Sequence, residues 1–188
     1  MNIGTGSFLW DDTKKDYVSL SYDILNVGEL TSMVVDPSAG AISSFIGITR
    51  DNFQNKKVIH LSYEAYDEMA LSEMLALCSK VRSKWPSVTK IAIQHKLGDC
   101  PVGDMSVVIV ISSPHRVESL EACHFAIDEL KKSIPIWKKE HYEEGSGSDA
   151  AWKKNPESPK PLLAPSTDAA SDTSISGTVD LPNPPVVF

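Results

Sequence analysis

Within a chain of net charge -7, the stretch from Ser112 to Glu140, SSPHRVESLEACHFAIDELKKSIPIWKKE, gathers His115, Arg116, Lys131, Lys132, Lys138 and Lys139. Fixed cations in such a run suit anionic chemistry, because guanidinium and imidazole groups bind phosphate or carboxylate and lysine can move protons or steady negative charge. Ser113 reads as a helix N-cap, with Pro114 at the first helical position and His115 and Arg116 in the first turn. A helix start presents unpaired N–H groups and a positive dipole end, so two cations there would complete an anion site where acids are the usual choice. Val117, Leu120, His124, Ile127 and Lys131 recur at three- and four-residue steps, which puts Lys131 on an apolar stripe, half-buried, and Lys132 about 100° around the helix. Pro135 stops that helix. Ile136 to Tyr142 then reads as a strand with Ile136, Lys138, Glu140 and Tyr142 on one face and Trp137, Lys139 and His141 on the other, so Lys138 and Glu140 are same-face neighbours.

Each of these residues also has a plain structural reading. Lysines in a last helical turn complement the dipole, and paired lysines on a strand are commonly solvated edge residues. His115 can be a surface side chain, and Arg116 can pair with Glu118 or Glu121. His124, on the apolar stripe, reads as a hydrogen-bonded core histidine rather than a metal ligand. The constellation outweighs its members.

His115-Arg116, the helix ending at Lys131, and Pro135-Ile136-Trp137-Lys138-Lys139-Glu140, preceded in order by Phe45-Ile46-Gly47-Ile48-Thr49-Arg50 and Tyr63-Glu64-Ala65-Tyr66, resemble the large, catalytic subunit of molybdopterin synthase. The likeness covers roughly residues 17 to 154, and four ordered motifs make it specific. It departs from the family pattern at Lys96, in His95-Lys96-Leu97-Gly98, where the family often has Arg, and at Pro114, where it often has Ala. Lysine keeps the charge but loses bidentate geometry, so no anion role is assigned to Lys96.

The resemblance implies an α+β fold of the α/β-hammerhead kind. It also implies a sulfurtransferase that converts cyclic pyranopterin monophosphate to molybdopterin in molybdenum cofactor biosynthesis. The sulfur would arrive as a thiocarboxylate on the C-terminal Gly-Gly of a small ubiquitin-like subunit, whose tail enters a pocket of this chain. A homodimer of this chain would form the centre of a heterotetramer, with pockets to which both large subunits contribute. The phosphate would meet Arg50, His115 and Arg116. Lys131 and Lys138 are the catalytic candidates for proton transfer and charge stabilisation, and both would also bind substrate. Lys139 and Glu140 would shape the pocket, Glu140 by orienting Lys138 through an ion pair. No metal or other cofactor is expected. Two rival readings stand beside this one: a non-catalytic α+β module binding an anionic ligand or a partner's C-terminal tail, and an unrelated acyl-transfer enzyme using Cys100.

The elements that must position these residues follow from periodicity. Val18, Leu20, Tyr22 and Ile24 alternate as a strand, a short helix spans Glu29 to Val35, and Ala41 to Thr49 is a strand leading to Arg50. The polar stretch from Asp51 to Lys57 separates it from a β-branched and aromatic strand, Val58 to Tyr66, so the pair reads as a hairpin with a mobile tip. Met69 to Trp85 is a helix with Ala70, Met74, Leu77, Cys78, Val81 and Trp85 on one stripe. Ile91, Ile93, His95 and Leu97 alternate as a strand, and Met105 to Ser112 is a nearly continuous apolar run, as in a strand buried on both faces. The expected order is βαββαββαβ, with a mixed sheet.

At 188 residues and 41% hydrophobic, the chain suits one globular domain with a tail. Residues 1 to 15 read as a loose leader, 16 to 155 as the catalytic domain, and 156 to 188 as a Pro/Ser/Thr-rich tail expected to be disordered, since seven of the twelve prolines lie there. Residues 1 to 140 carry 15 basic and 18 acidic side chains, a balance of -3 that disfavours tracking a nucleic-acid backbone. Three cysteines, Cys78, Cys100 and Cys123, lack metal spacing and suit reduced thiols in a cytosolic protein; Cys78 and Cys123 read as core and Cys100 as an exposed turn residue. No apolar run is long enough to span a membrane, and Asp11, Asp12 and Asp16 argue against a transit peptide.

Overall fold

The apolar run from Met105 to Ser113 forms the centre of the molecule because both its faces find partners. In the computed structural model, which describes residues 6–143 and the backbone of residues 152–153, this strand alternates between two cores. Val107, Ile109 and Ile111 pack with helices α2 (Asp67–Lys84) and α3 (Arg116–Ser133), while Val108 and Val110 pack with α1 (Val27–Val34) on the other side. The strand lies in a five-stranded sheet of order β1 (Gly6–Asp11), β2 (Asp16–Ser21), β6 (Lys90–Lys96), β8 (Met105–Ser113), β3 (Ala41–Ile48). Only β2 and β6 run parallel, so the sheet is mixed. Ile91 and Ile93 of β6 face the larger core and Ala92 the smaller, which repeats the alternation of β8.

A second, antiparallel sheet has the order β10 (Trp152–Lys153), β9 (Ile136–Tyr142), β5 (Lys56–Ala65), β4 (Asn52–Phe53), with β7 (Gly98–Pro101) also paired to β5. The α+β class and the nine elements expected from periodicity are all present, with β1, β4, β7 and β10 in addition. β3 and β5 do not form a hairpin with each other. β3 pairs with β8 and β5 with β9, in different sheets, and the turn between them is a two-residue reversal at Gln54 and Asn55, both at positive φ, joining β4 to β5. Cross-strand partners are chosen by register across the whole chain, which adjacency in sequence does not reveal.

Part of the expected leader is a strand: residues 6–11 pair with β2 in register from Gly6 with Ser21 to Asp11 with Asp16, and Phe8 and Trp10 lie against Tyr17. β2 ends at Ser21, leaving Tyr22 and Ile24 exposed. The anchor at its start is polar. Asp16, buried, receives Arg82 Nε at 3.1 and 3.0 Å, and the same guanidinium donates to the carbonyl of Val88 at 2.7 Å. Burial pushes the Asp16 carboxyl up, and Arg82 offsets part of that shift. The tail from residue 156 onward lies outside the described residues.

Helix α3 starts later and faces differently than its spacing suggests. Ser113 is the last residue of β8, and His115 occupies the N-cap without a side-chain cap bond. The buried positions are Ser119, Ala122, Cys123, Ala126, Ile127 and Leu130. Val117 and Leu120 are exposed, and His124 is a surface residue whose Nε2 lies 3.2 Å from Asp128. Small side chains explain the rotation: Ser119, Ala122 and Ala126 let the helix settle close on the sheet, where Ser119 and Ser43 hydroxyls meet at 2.8 Å, and a hydropathy stripe undercounts them. Cys78 and Cys123 are in the core as expected, but Cys100 is buried too, its Sγ receiving the Thr49 hydroxyl at 3.2 Å.

Candidate active site

Where the two sheets meet, they leave a cavity of about 650 Å³, a volume suited to a small-molecule ligand. One wall is β3 and β8, with Phe45, Gly47 and Val107. The end of α3 supplies Ile127, Leu130 and Lys131, and β5 and β9 add Tyr63, Lys138 and Glu140. Gly47 is required at its position, because a Cβ there would come within 2.7 Å of Val107 Cγ1. The register shifts beside it, between Gly47 and Ile48, and the Ser106 hydroxyl donates to the Gly47 carbonyl at 3.3 Å.

Three cations reach this cavity. Arg50 follows β3, anchored through Thr49, whose N–H donates to the Asp104 carbonyl at 3.0 Å and whose carbonyl accepts from Gly103 at 2.9 Å. Lys131 comes from the last turn of α3 and is exposed rather than half-buried. Lys138 projects from β9, its Nζ 3.2 Å from Glu140 Oε1 and 5.7 Å from the centre of the Phe53 ring. Glu140 is buried, and its Oε2 accepts a short hydrogen bond from the Tyr142 hydroxyl. The strand alternation thus brings Lys138, Glu140 and Tyr142 together as one polar unit.

The remaining sequence candidates lie elsewhere. Lys139 is on the opposite face of β9, in register with Ser62 and Trp152. His115 and Arg116 are exposed at the other end of α3. Fifteen residues of helix separate Arg116 from Lys131, about 22 Å at 1.5 Å per residue, so one chain does not bring these two groups to one ligand. Lys96 is buried and spent on structure, its Nζ donating to the carbonyls of Tyr22 and Asp23 at 3.2 and 3.3 Å.

Two cavity residues, His95 and Tyr63, stand in segments that resemble the family, yet the sequence assigned neither a role in the site. They meet edge to face with ring centres 4.9 Å apart. Burial holds the Tyr63 phenol up at about 12, and the same cause pushes His95 down to about 4, only partly countered by its contact with the Lys96 carbonyl. His95 is therefore a neutral imidazole at neutral pH. Among the described residues no group of three or more His, Cys, Asp or Glu side chains is arranged to hold a metal ion, and no helix is long and apolar enough to cross a membrane.

Residues 20–133 match the family model described as MoaE protein, more than half of the chain. The chain belongs to the MoaE protein family, that of the molybdopterin synthase catalytic subunits. It is 55% identical over 142 residues to molybdopterin synthase catalytic subunit 2 of Aedes aegypti, spanning 76% of this chain and 91% of that protein. The fold matches the crystal structure of molybdopterin synthase from Staphylococcus aureus with a TM-score of 0.66 at 30% identity, over 71% of this chain and 94% of that one. A Helicobacter pylori structure, a complex of subunits 1 and 2 of molybdopterin-converting factor, shares the fold with a TM-score of 0.61 at 23% identity, over 76% of this chain and 93% of that one. Membership makes this chain an enzyme of molybdenum cofactor biosynthesis, with the convergent lysines as its most conspicuous chemistry.

Proposed function

We propose that the cavity holds cyclic pyranopterin monophosphate while two sulfurs are installed, each delivered as a thiocarboxylate on the C-terminal Gly-Gly of a small ubiquitin-like subunit. The observation that carries this reading is the convergence of Lys131, from a helix end, and Lys138, from a strand, on one cavity with Arg50. Thiocarboxylate attack requires a proton to move at the substrate carbon and negative charge to be stabilised at the acyl group that leaves; two ammonium groups brought to one cavity from a helix end and a strand suit those tasks. Glu140, fixed by Tyr142, holds Lys138 in one place, so its charge is oriented before substrate arrives. Arg50 is the cation in this chain for the substrate phosphate.

His115 and Arg116 enter the same reading through a second copy. Their distance from Lys131 excludes a shared ligand within one chain, so in this reading they reach the site across an interface between two copies, a homodimer at the centre of a heterotetramer. Lys139, facing away from the cavity, is a candidate for contact with the small subunit. The small-subunit partner accords with the two-subunit complex of the Helicobacter pylori relative. Burial of all three thiols fits a reducing compartment, and the cytosol is the proposed location.

The test is reconstitution with a thiocarboxylated small subunit and cyclic pyranopterin monophosphate, followed by detection of the dithiolene product. Lys131→Ala is expected to bind both partners and lose at least about a hundredfold in turnover. Lys132→Ala, whose side chain sits 3.5 Å from Glu129 rather than in the cavity, is expected to stay near wild type. Equal, small effects of the two substitutions would remove Lys131 from catalysis. Binding of both partners by the unaltered chain without product would favour a non-catalytic binding module.

A further inference from the structure

The cations that line the cavity offer hydrogen-bond donors, and its acceptors include the Asn52 amide oxygen as well as His95. Arg50, Lys131 and Lys138 carry N–H groups alone. The two oxygens of Glu140 face Lys138 and Tyr142, and Tyr63 hydrogen-bonds with Ser106, whose hydroxyl donates onward to the Gly47 carbonyl. A fused pterin ring presents several N–H groups of its own, and these need acceptors.

His95 offers an acceptor whose tautomer is fixed by the fold. It closes the inward face of β6, the face that carries Ile91 and Ile93, in register between Leu20 and Val107. Its Nδ1 lies 2.7 Å from the carbonyl oxygen of Lys96. A carbonyl only accepts, so Nδ1 carries the proton, and the neutral ring is left with a lone pair on Nε2. Nε2 has no hydrogen-bond partner among the described residues, although the side chain is buried and lines the cavity. Nε2 is thus presented to whatever occupies the cavity, with its lone pair ready to accept.

We propose that Nε2 of His95 accepts a hydrogen bond from a ring N–H of the pterin, orienting the ring so that the carbons receiving sulfur face Lys131 and Lys138. This assignment rests on the function proposed above. It makes His95 a substrate-orienting residue with its tautomer set by the Lys96 carbonyl. The lysines and Arg50 secure charge, and His95 reads the heterocycle.

Two substitutions separate this role from a purely structural one. The amide nitrogen of His95→Asn falls where Nδ1 does and keeps the bond to the Lys96 carbonyl, but nothing reaches the position of Nε2. The amide of His95→Gln reaches that position and gives up the local bond. The probe is cyclic pyranopterin monophosphate, with its Kd read by pterin fluorescence, KM and kcat from reconstituted turnover, and thermal melting as the control. His95→Asn is expected to weaken Kd and raise KM about five- to tenfold, with a near-normal melt and a smaller change in kcat. His95→Gln is expected to bind within about twofold of wild type despite a lower melting temperature. Wild-type affinity in His95→Asn with a loss in His95→Gln would make His95 a structural peg and overturn the assignment, as would equal losses that follow the melting temperature. If the unaltered protein does not bind the probe, the function proposed above fails and the assignment falls with it; if it binds and turns over, a failure of the His95 pattern is specific to His95.

Discussion

Removing the titratable ring at position 95 is expected to flatten the acid sensitivity of folding by an amount that the structure sets. His95 lies buried against Tyr63, and its imidazolium is pushed from the ordinary 6.5 down to about 4 by burial. Between those values the unfolded chain binds a proton at this site that the folded chain does not, so stability rises with pH. The contribution is fully present above about 6.5 and is lost progressively as pH falls to about 4. The difference between 6.5 and about 4 corresponds to about 3 kcal/mol in full, and integrating from pH 7 to pH 5 gives about 2 kcal/mol. His95→Asn keeps a donor for the Lys96 carbonyl and has no proton to gain. Urea unfolding of both proteins at pH 7, 6 and 5 should show the wild type losing about 2 kcal/mol more than the variant, with carboxylate contributions common to both cancelling. Parallel pH profiles would mean that the ring is hydrated or charged in the folded state. The Nδ1–H tautomer and the acceptor role argued for Nε2 would then lose their basis.

Arg82→Ala strips the guanidinium from buried Asp16 and from the Val88 carbonyl, and a loss of about 3–5 kcal/mol in urea unfolding is expected, with Asp16→Asn in the same chain restoring part of it. A loss below about 1 kcal/mol would show that water replaces the arginine there. Mixing Arg116→Ala protein with Lys131→Ala protein, each nearly inactive alone, should restore about one quarter of wild-type turnover, because half of randomly assembled dimers are mixed and each contains one intact shared site. No recovery after verified subunit exchange would show that Arg116 does not complete the site of its partner copy.

Nine of the thirteen elements among the described residues, and the local constellation of β9, were legible in the sequence. Period-2 alternation settled that Lys138 and Glu140 share a face of β9, and the structure adds the 3.2 Å ion pair. The unbroken apolar run of β8 settled a strand covered on both sides, and Pro135 marked the end of α3. These properties are written within a few residues of one another, where backbone geometry is nearly fixed by residue type. Pairing between distant segments is different. Nothing in the adjacency of β3 and β5 announces that they belong to separate sheets, yet that separation opens the cavity between them. Nothing in an apolar stripe weighs Ser119 and Ala122 against Val117 and Leu120, yet close packing of the small residues turned α3 and set Lys131 on the cavity rim. His95 reads in sequence as one more alternating strand residue. Burial, the Lys96 carbonyl and the approach of Tyr63 make it a neutral acceptor, and those neighbours come together only when chain segments more than thirty residues apart are packed side by side, as Tyr63 and His95 are here.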